Sequence, residues 1–100
     1  MTMWYRAAAM SGPFASLDFT DTFLETFGSK DFTAADRKVI RKALRLLDGD
    51  ERHPSLRVHQ LSGDLAGLWS ASASASLRLT FVRTGQGRKT LLTCSNHDDR

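Results

Sequence analysis

The sequence has 100 residues and one cysteine, Cys94, so no disulfide can form within it. A lone thiol fits a reducing compartment, and the expected location is the cytoplasm. No apolar run approaches the roughly 20 residues needed to cross a bilayer, and no membrane association is expected. The opening MTMWYRAAAM carries a single positive charge and an apolar stretch shorter than the core of a secretory signal. There is no internal repeat, no GxGxxG and no P-loop, so the phosphate-cradling loops of nucleotide-dependent enzymes are missing. Gly85-Gln86-Gly87 is explained by a hairpin turn instead. At this length the chain holds one domain and one modest core, without room for a separate cofactor-binding unit. Three histidines are present, but His53 and His59 stand six apart across Pro54 and Cys94 is isolated. That spacing does not suggest a zinc set, and neither metal nor cofactor is expected. Any chemistry falls to side chains on a single domain.

What is present has globular proportions, with 41% hydrophobic and 25% charged residues. Fourteen Lys and Arg oppose 11 Asp and Glu, a formal charge of +3 that permits a polyanionic partner. Residues 1–29 sum to −2, residues 30–60 to +3 and residues 61–100 to +2, so the basic charge lies in the later part of the chain. Residues 1–14 read as a loosely held extension and residues 15–100 as one domain.

Ser16–Thr20 alternates Leu17 and Phe19 with polar neighbours, the period of a strand with one buried face. Phe23 and Phe27, four apart, mark a short helix that a left-handed Gly28 would stop. Thr33-Ala-Ala-Asp36 resembles a capping box, with Asp where Glu is usual. It opens a helix whose apolar face is Val39, Ile40, Ala43, Leu44 and Leu47 and whose other face carries Arg37, Lys38, Arg41, Lys42 and Arg45. Asp48-Gly49-Asp50 is expected to end it, with Asp competing for local backbone hydrogen bonds. Beyond Pro54 the pattern becomes short strands. Leu56–Leu61 alternates, placing Arg57, His59 and Leu61 on one face, and Ser62-Gly63-Asp64 is a turn. Strands follow over 68–73, 77–82 and 89–95, with Leu77, Leu79 and Phe81 toward the core and Arg78 and Thr80 away from it. Helices followed by an antiparallel meander define an α+β fold rather than a doubly wound sheet.

The most informative stretch is HPSLRVHQLSGDLAGLW over residues 53–69, together with the Arg78 strand and the closing LLTCSNHDD. These residues resemble the RelE/ParE superfamily of toxins from type II toxin–antitoxin systems, in particular its YafQ-like ribonuclease branch. The resemblance spans about residues 16–100, and its most specific part is L-x-G-x-x-x-G-x-W combined with a terminal histidine–acid pair. Relatives carry Gly before the closing T-H-D and an aromatic shortly after the acid; here Ser95-Asn96 precedes His97, and no aromatic follows Asp98.

The resemblance implies a strand–helix–helix–multistrand fold and ribosome-dependent, metal-free cleavage of messenger RNA. It also implies a cognate antitoxin, with which the chain would form an oligomer. Two other outcomes stay open. ParE members of the same fold poison DNA gyrase, and a catalytically weak relative would serve as an antitoxin-binding module. Metal-free cleavage needs a base for the 2′-hydroxyl proton, an acid for the leaving 5′ oxygen and cations for the phosphorane. By resemblance, His59, His97 and Arg78 take these roles, and Asp98 orients His97 or a ribose hydroxyl. Histidine suits proton transfer because an unperturbed imidazole titrates at about 6.5. Arginine holds phosphate oxygens with parallel donors. Arg57 is a candidate for a neighbouring phosphate. Trp69 is a candidate for stacking on a base or for filling the core. Arg41 and Arg45 belong to a basic helix face that is either solvated or laid against ribosomal RNA or an acidic antitoxin segment.

Overall fold

The computed structural model describes residues 14–96. His97 and Asp98 therefore lie outside the described residues, as does the extension over 1–14 apart from Phe14. The Phe14 ring sits edge-on to Phe19 at 5.6 Å.

Strand β1 (Leu17–Phe19) is short, and its alternation holds: Leu17 and Phe19 are buried while Asp18 between them is not. Helix α1 (Asp21–Phe27) begins at Thr20, whose Oγ1 accepts the Phe23 N–H at 3.0 Å and donates to the Leu91 carbonyl at 3.0 Å. One hydroxyl thus caps the helix and ties its start to a distant strand. Gly28 ends α1 with φ −87°, not in the left-handed region expected from the sequence. Its N–H reaches the Leu24 carbonyl at 3.0 Å, so an ordinary helical closure suffices.

Helix α2 (Ala34–Gly49) opens with the expected capping box: Asp36 N–H donates to Thr33 Oγ1 at 3.0 Å, and Thr33 N–H donates to Asp36 Oδ2 at 2.9 Å. Ile40, Ala43, Leu44 and Leu47 are buried along one side, and Arg41 and Arg45 are exposed on the other. The helix runs through Gly49 to a cap at Asp50. Asp48 does not compete for local backbone, contrary to expectation. Its carboxylate accepts from Ala15 N, Ser16 N and Ser16 Oγ at 2.7–3.1 Å, fastening the chain before β1 to the end of α2.

The remaining elements are a 3-10 turn at Pro54–Leu56, β2 (His59–Gln60), a 3-10 turn at Gly63–Leu65, β3 (Trp69–Ser72), β4 (Leu77–Thr84) and β5 (Arg88–Asn96). The sheet order is β1-β5-β4-β3-β2, with β1 parallel to β5 and every other pair antiparallel. The fold is α+β: an N-terminal strand, two helices and a largely antiparallel five-stranded sheet. Leu77, Leu79 and Phe81 face the core and alternate with Arg78, Thr80 and Val82. A bulge at Thr80/Phe81 passes the register from Thr93 to Leu91, leaving Leu92 as the extra residue. The bulge lets Leu91 and Cys94, three apart, both point inward, which strict alternation forbids.

The expected strand over Leu56–Leu61 is largely replaced by the Pro54–Leu56 turn, and only His59 and Gln60 pair with β3. Arg57 has φ 47° and ψ 47°, a left-handed conformation that breaks any extended run. Leu56, fully buried, anchors the turn to the core. The glycines of the following segment are used as the sequence suggests: Gly63 (φ 67°) and Gly67 (φ 96°) turn the chain back toward β3.

Candidate functional site

The helices cover one face of the sheet, which leaves Arg78 on the other. Cross-strand partners in an antiparallel pair share a face. His59 pairs with Ser70, Ser70 with Thr80, and Thr80 with Thr93; Ser72 pairs with Arg78, and Arg78 with Ser95. The face opposite the core therefore carries His59, Arg78 and a field of hydroxyls. With strands about 4.8 Å apart, the Cα atoms of His59 and Arg78 are separated by roughly 12 Å. That is a span two long side chains can close around one phosphate.

Arg78 bends over its own turn. Its Nη1 donates to the carbonyls of Ser74 and Ala75 at 3.0 and 3.3 Å, and among the described residues no carboxylate pairs with it. Carbonyl contacts hold the guanidinium in place without neutralising it, so its charge remains available to an anion. A groove of about 540 Å³ lies beside it, lined by Pro54, Ser55, Arg57, Ser72–Ala75 and Arg78. Alanine and serine make one wall, and their small side chains leave the space open. The turn itself is built by Ser74 Oγ, which accepts from the N–H groups of Ser76 and Leu77. Sequence reasoning missed this wall; the signal was the serine–alanine tract lying between two strand patterns.

Arg57 and His59 are coupled through the backbone. His59 Nδ1 donates to the Arg57 carbonyl at 2.9 Å, because a carbonyl can only accept. This commits the Nδ1 proton to the backbone and orients the ring, while the side chain stays exposed. His53 is arranged the other way, with Nδ1 accepting the Ser55 N–H at 3.2 Å as the cap of the Pro54–Leu56 turn.

Trp69 lies on the core side of the sheet. Its ring stacks on Phe81 at 6.4 Å, with the Arg83 guanidinium 4.2 Å above it. Arg41 and Arg45 project from the outer side of α2, away from the sheet, so the structure does not bring them together with Arg57, Arg78 or His59. Arg41 lies 5.9 Å from the Phe27 ring. The described residues contain no group of three His, Cys, Asp or Glu side chains placed to hold a metal ion, and no described helix is long and apolar enough to cross a membrane. Cys94 is buried, and burial pushes its thiol pKa up despite the Thr26 hydroxyl at 3.6 Å.

Next to the groove, Glu51 joins three elements. It binds Arg83 through both carboxylate oxygens and the buried Lys89 at 3.3 Å. The Arg83 hydrogen bonds hold its carboxyl below the ordinary 4.5, outweighing burial, and Lys89 adds to the effect. A folded-state value below the unfolded one stabilises the protein above about pH 4.5, and that stabilisation is lost as pH falls through the folded value. Glu51→Gln should therefore destabilise the protein at neutral pH, where Lys89 is left buried without its anion, and the deficit should shrink below about pH 4. Thermal melts of both proteins across this range check it. Parallel curves would show that the carboxylate contributes nothing.

The arrangement of an N-terminal strand, two helices and a largely antiparallel five-stranded sheet is a RelE-like fold. The chain is a structural match to the RelE/YoeB/YafQ/ParE toxins of type II toxin–antitoxin systems, at low sequence identity. It is similar to the YoeB/ParE toxin from Agrobacterium tumefaciens at 25% identity and a TM-score of 0.63, covering 83% of this chain and 99% of that one. It also resembles a chain of the toxin–antitoxin complex RelBE2 from Mycobacterium tuberculosis, at 17% identity and a TM-score of 0.66, covering 81% and 95% of the two chains. A third likeness is to a chain of the DinJ–YafQ toxin–antitoxin complex from E. coli, at 13% identity and a TM-score of 0.66, covering 81% and 90%. No protein-family model matches the sequence, and no curated protein matches it closely.

Proposed function

We propose that this chain is the toxin of a type II toxin–antitoxin pair and acts as an endoribonuclease on ribosome-bound messenger RNA. The observation that carries the reading is Arg78, which has no carboxylate partner among the described residues, on a hydroxyl-lined face that also presents His59 with its Nδ1 proton committed to the Arg57 carbonyl. In this reading His59 Nε2 takes the proton of a ribose 2′-hydroxyl. The 2′ oxygen attacks the adjacent phosphorus, and Arg78 holds the charge that builds on the phosphorane. His97, oriented by Asp98, returns a proton to the departing 5′ oxygen, leaving a 2′,3′-cyclic phosphate and a free 5′-hydroxyl. Arg57 holds a neighbouring phosphate from the rim of the groove. Trp69 serves the core side of the sheet, walling an adjacent cleft instead of stacking over the reaction. Arg41 and Arg45, on the far layer, face ribosomal RNA or an acidic stretch of antitoxin.

Chains similar to this one have been solved in complex with antitoxins, which supports a cognate antitoxin as partner. The test is to add purified chain to a translation extract programmed with a defined message and map the RNA ends. Cuts are expected in ribosome-bound message and not in naked message, with gyrase supercoiling unaffected. Intact message together with blocked supercoiling would establish the gyrase-directed alternative.

A further inference from the structure

The cleft walled by Trp69 adjoins the groove but touches none of the reacting groups. It has a volume of about 380 Å³ and is lined by Glu51, Arg52, His53, Pro54, Arg57, Val58, Trp69 and Arg83. Pro54 and Arg57 line both spaces, so the two are neighbours along one path. We infer that this cleft holds a second nucleotide of the same RNA strand, its phosphate on Arg52 and Arg57 and its base against Trp69, Val58 and Pro54; this rests on the ribonuclease reading.

Charge favours an anion here. The one carboxylate in the lining, Glu51, is already bound by Arg83 and Lys89, two cations against one anion. Arg52 and Arg57 are exposed and have no carboxylate partner among the described residues. The walls favour a base. Trp69, half-buried, lines the cleft together with Arg83, whose guanidinium lies 4.2 Å over its ring, and Val58 and Pro54 add apolar area. An apolar aromatic wall beside unneutralised arginines is the combination that binds single-stranded nucleic acid. An acidic peptide would satisfy the arginines but leave the wall unused.

Backbone conformation points the same way. Arg57 keeps a left-handed φ of 47° that glycine would adopt without strain. That conformation sets its side chain at the junction of the two spaces while its carbonyl orients His59. The residue that aligns the histidine thus also joins the two sites, and a strand gripped at the cleft would be held in register with the reacting phosphate.

The experiment uses the full chain carrying Trp4→Phe, so that Trp69 is its sole tryptophan. Hexauridylate, a uridine dinucleotide and hexaglutamate are titrated against Trp69 fluorescence, with and without Arg52→Ala. Hexauridylate is expected to quench Trp69, and Arg52→Ala to weaken its binding about tenfold while leaving the dinucleotide unaffected. The slope of log affinity against log salt should fall by about 0.7, one phosphate contact on a single strand. Arg57→Gly, which suits the left-handed backbone, should weaken both RNA ligands. Equal hexauridylate affinity with and without Arg52 overturns the inference, as does hexaglutamate quenching as strongly as RNA. If Arg78→Ala weakens hexauridylate binding and Arg52→Ala does not, the inference alone fails. If no RNA binds, the inference fails, and the ribonuclease reading is decided separately by the cuts in ribosome-bound message.

Discussion

His59→Ala is expected to slow message cleavage by about 10²–10⁴-fold, the usual contribution of one positioned acid or base. The side chain is exposed on a two-residue edge strand, so its loss should leave the fold and its melting temperature nearly unchanged. A second variant separates proton transfer from positioning. His59→Asn retains an amide able to donate to the Arg57 carbonyl but offers no base, and it should be as slow as alanine. Arg78→Ala should cost a further factor of about 10²–10³, through loss of charge stabilisation at the phosphorane. Single-turnover cleavage on programmed ribosomes measures all three. Wild-type cleavage rates in both His59 variants would remove His59 from the reaction and leave the 2′-hydroxyl proton to another group.

The other large effect concerns stability. Phe81→Ala should destabilise the domain by about 3–5 kcal/mol and lower its melting temperature by roughly 12–40 °C. Phe81 is fully buried in the central strand, stacks with Trp69 and lies within 5.6 Å of the Arg83 guanidinium. Its removal opens a cavity beneath the clamp that Arg83 makes with Glu51, so the wall of the second cleft should loosen as well. Phe81→Leu, which keeps most of the volume, should cost less than about 1.5 kcal/mol. Urea titration of the two variants checks this, and a loss below about 1 kcal/mol for alanine would mean that the core closes over the gap.

Local patterns were read well wherever one residue's neighbours decide its fate. The Thr33–Asp36 capping box, the buried face of α2 and the alternation of Leu77, Leu79 and Phe81 all depend on spacing alone. Long-range partners were not legible. Asp48 reads as a helix terminator, yet its hydrogen bonds go to Ala15 and Ser16, more than thirty residues away. Arg57 reads as one step in an alternating strand, but the buried Leu56 and the fixed φ of Pro54 turn the chain before it can extend. Trp69 reads as core more readily than as platform, and pairing with Phe81 puts it on the core side.

The sequence by itself determined the α+β class, the helix start at Thr33 and the residue types from which an acid–base and phosphate-gripping site is made. These follow from periodicity, capping and side-chain chemistry, each local in the chain. Only the tertiary structure decided which of those residues share a surface. Sheet order β1-β5-β4-β3-β2 puts His59 and Arg78 on one face, sends Arg41 and Arg45 to the opposite layer and sets Arg57 between two cavities. The reason is that pairing register and layer packing come from contacts between segments far apart in sequence, where no local pattern specifies the partner.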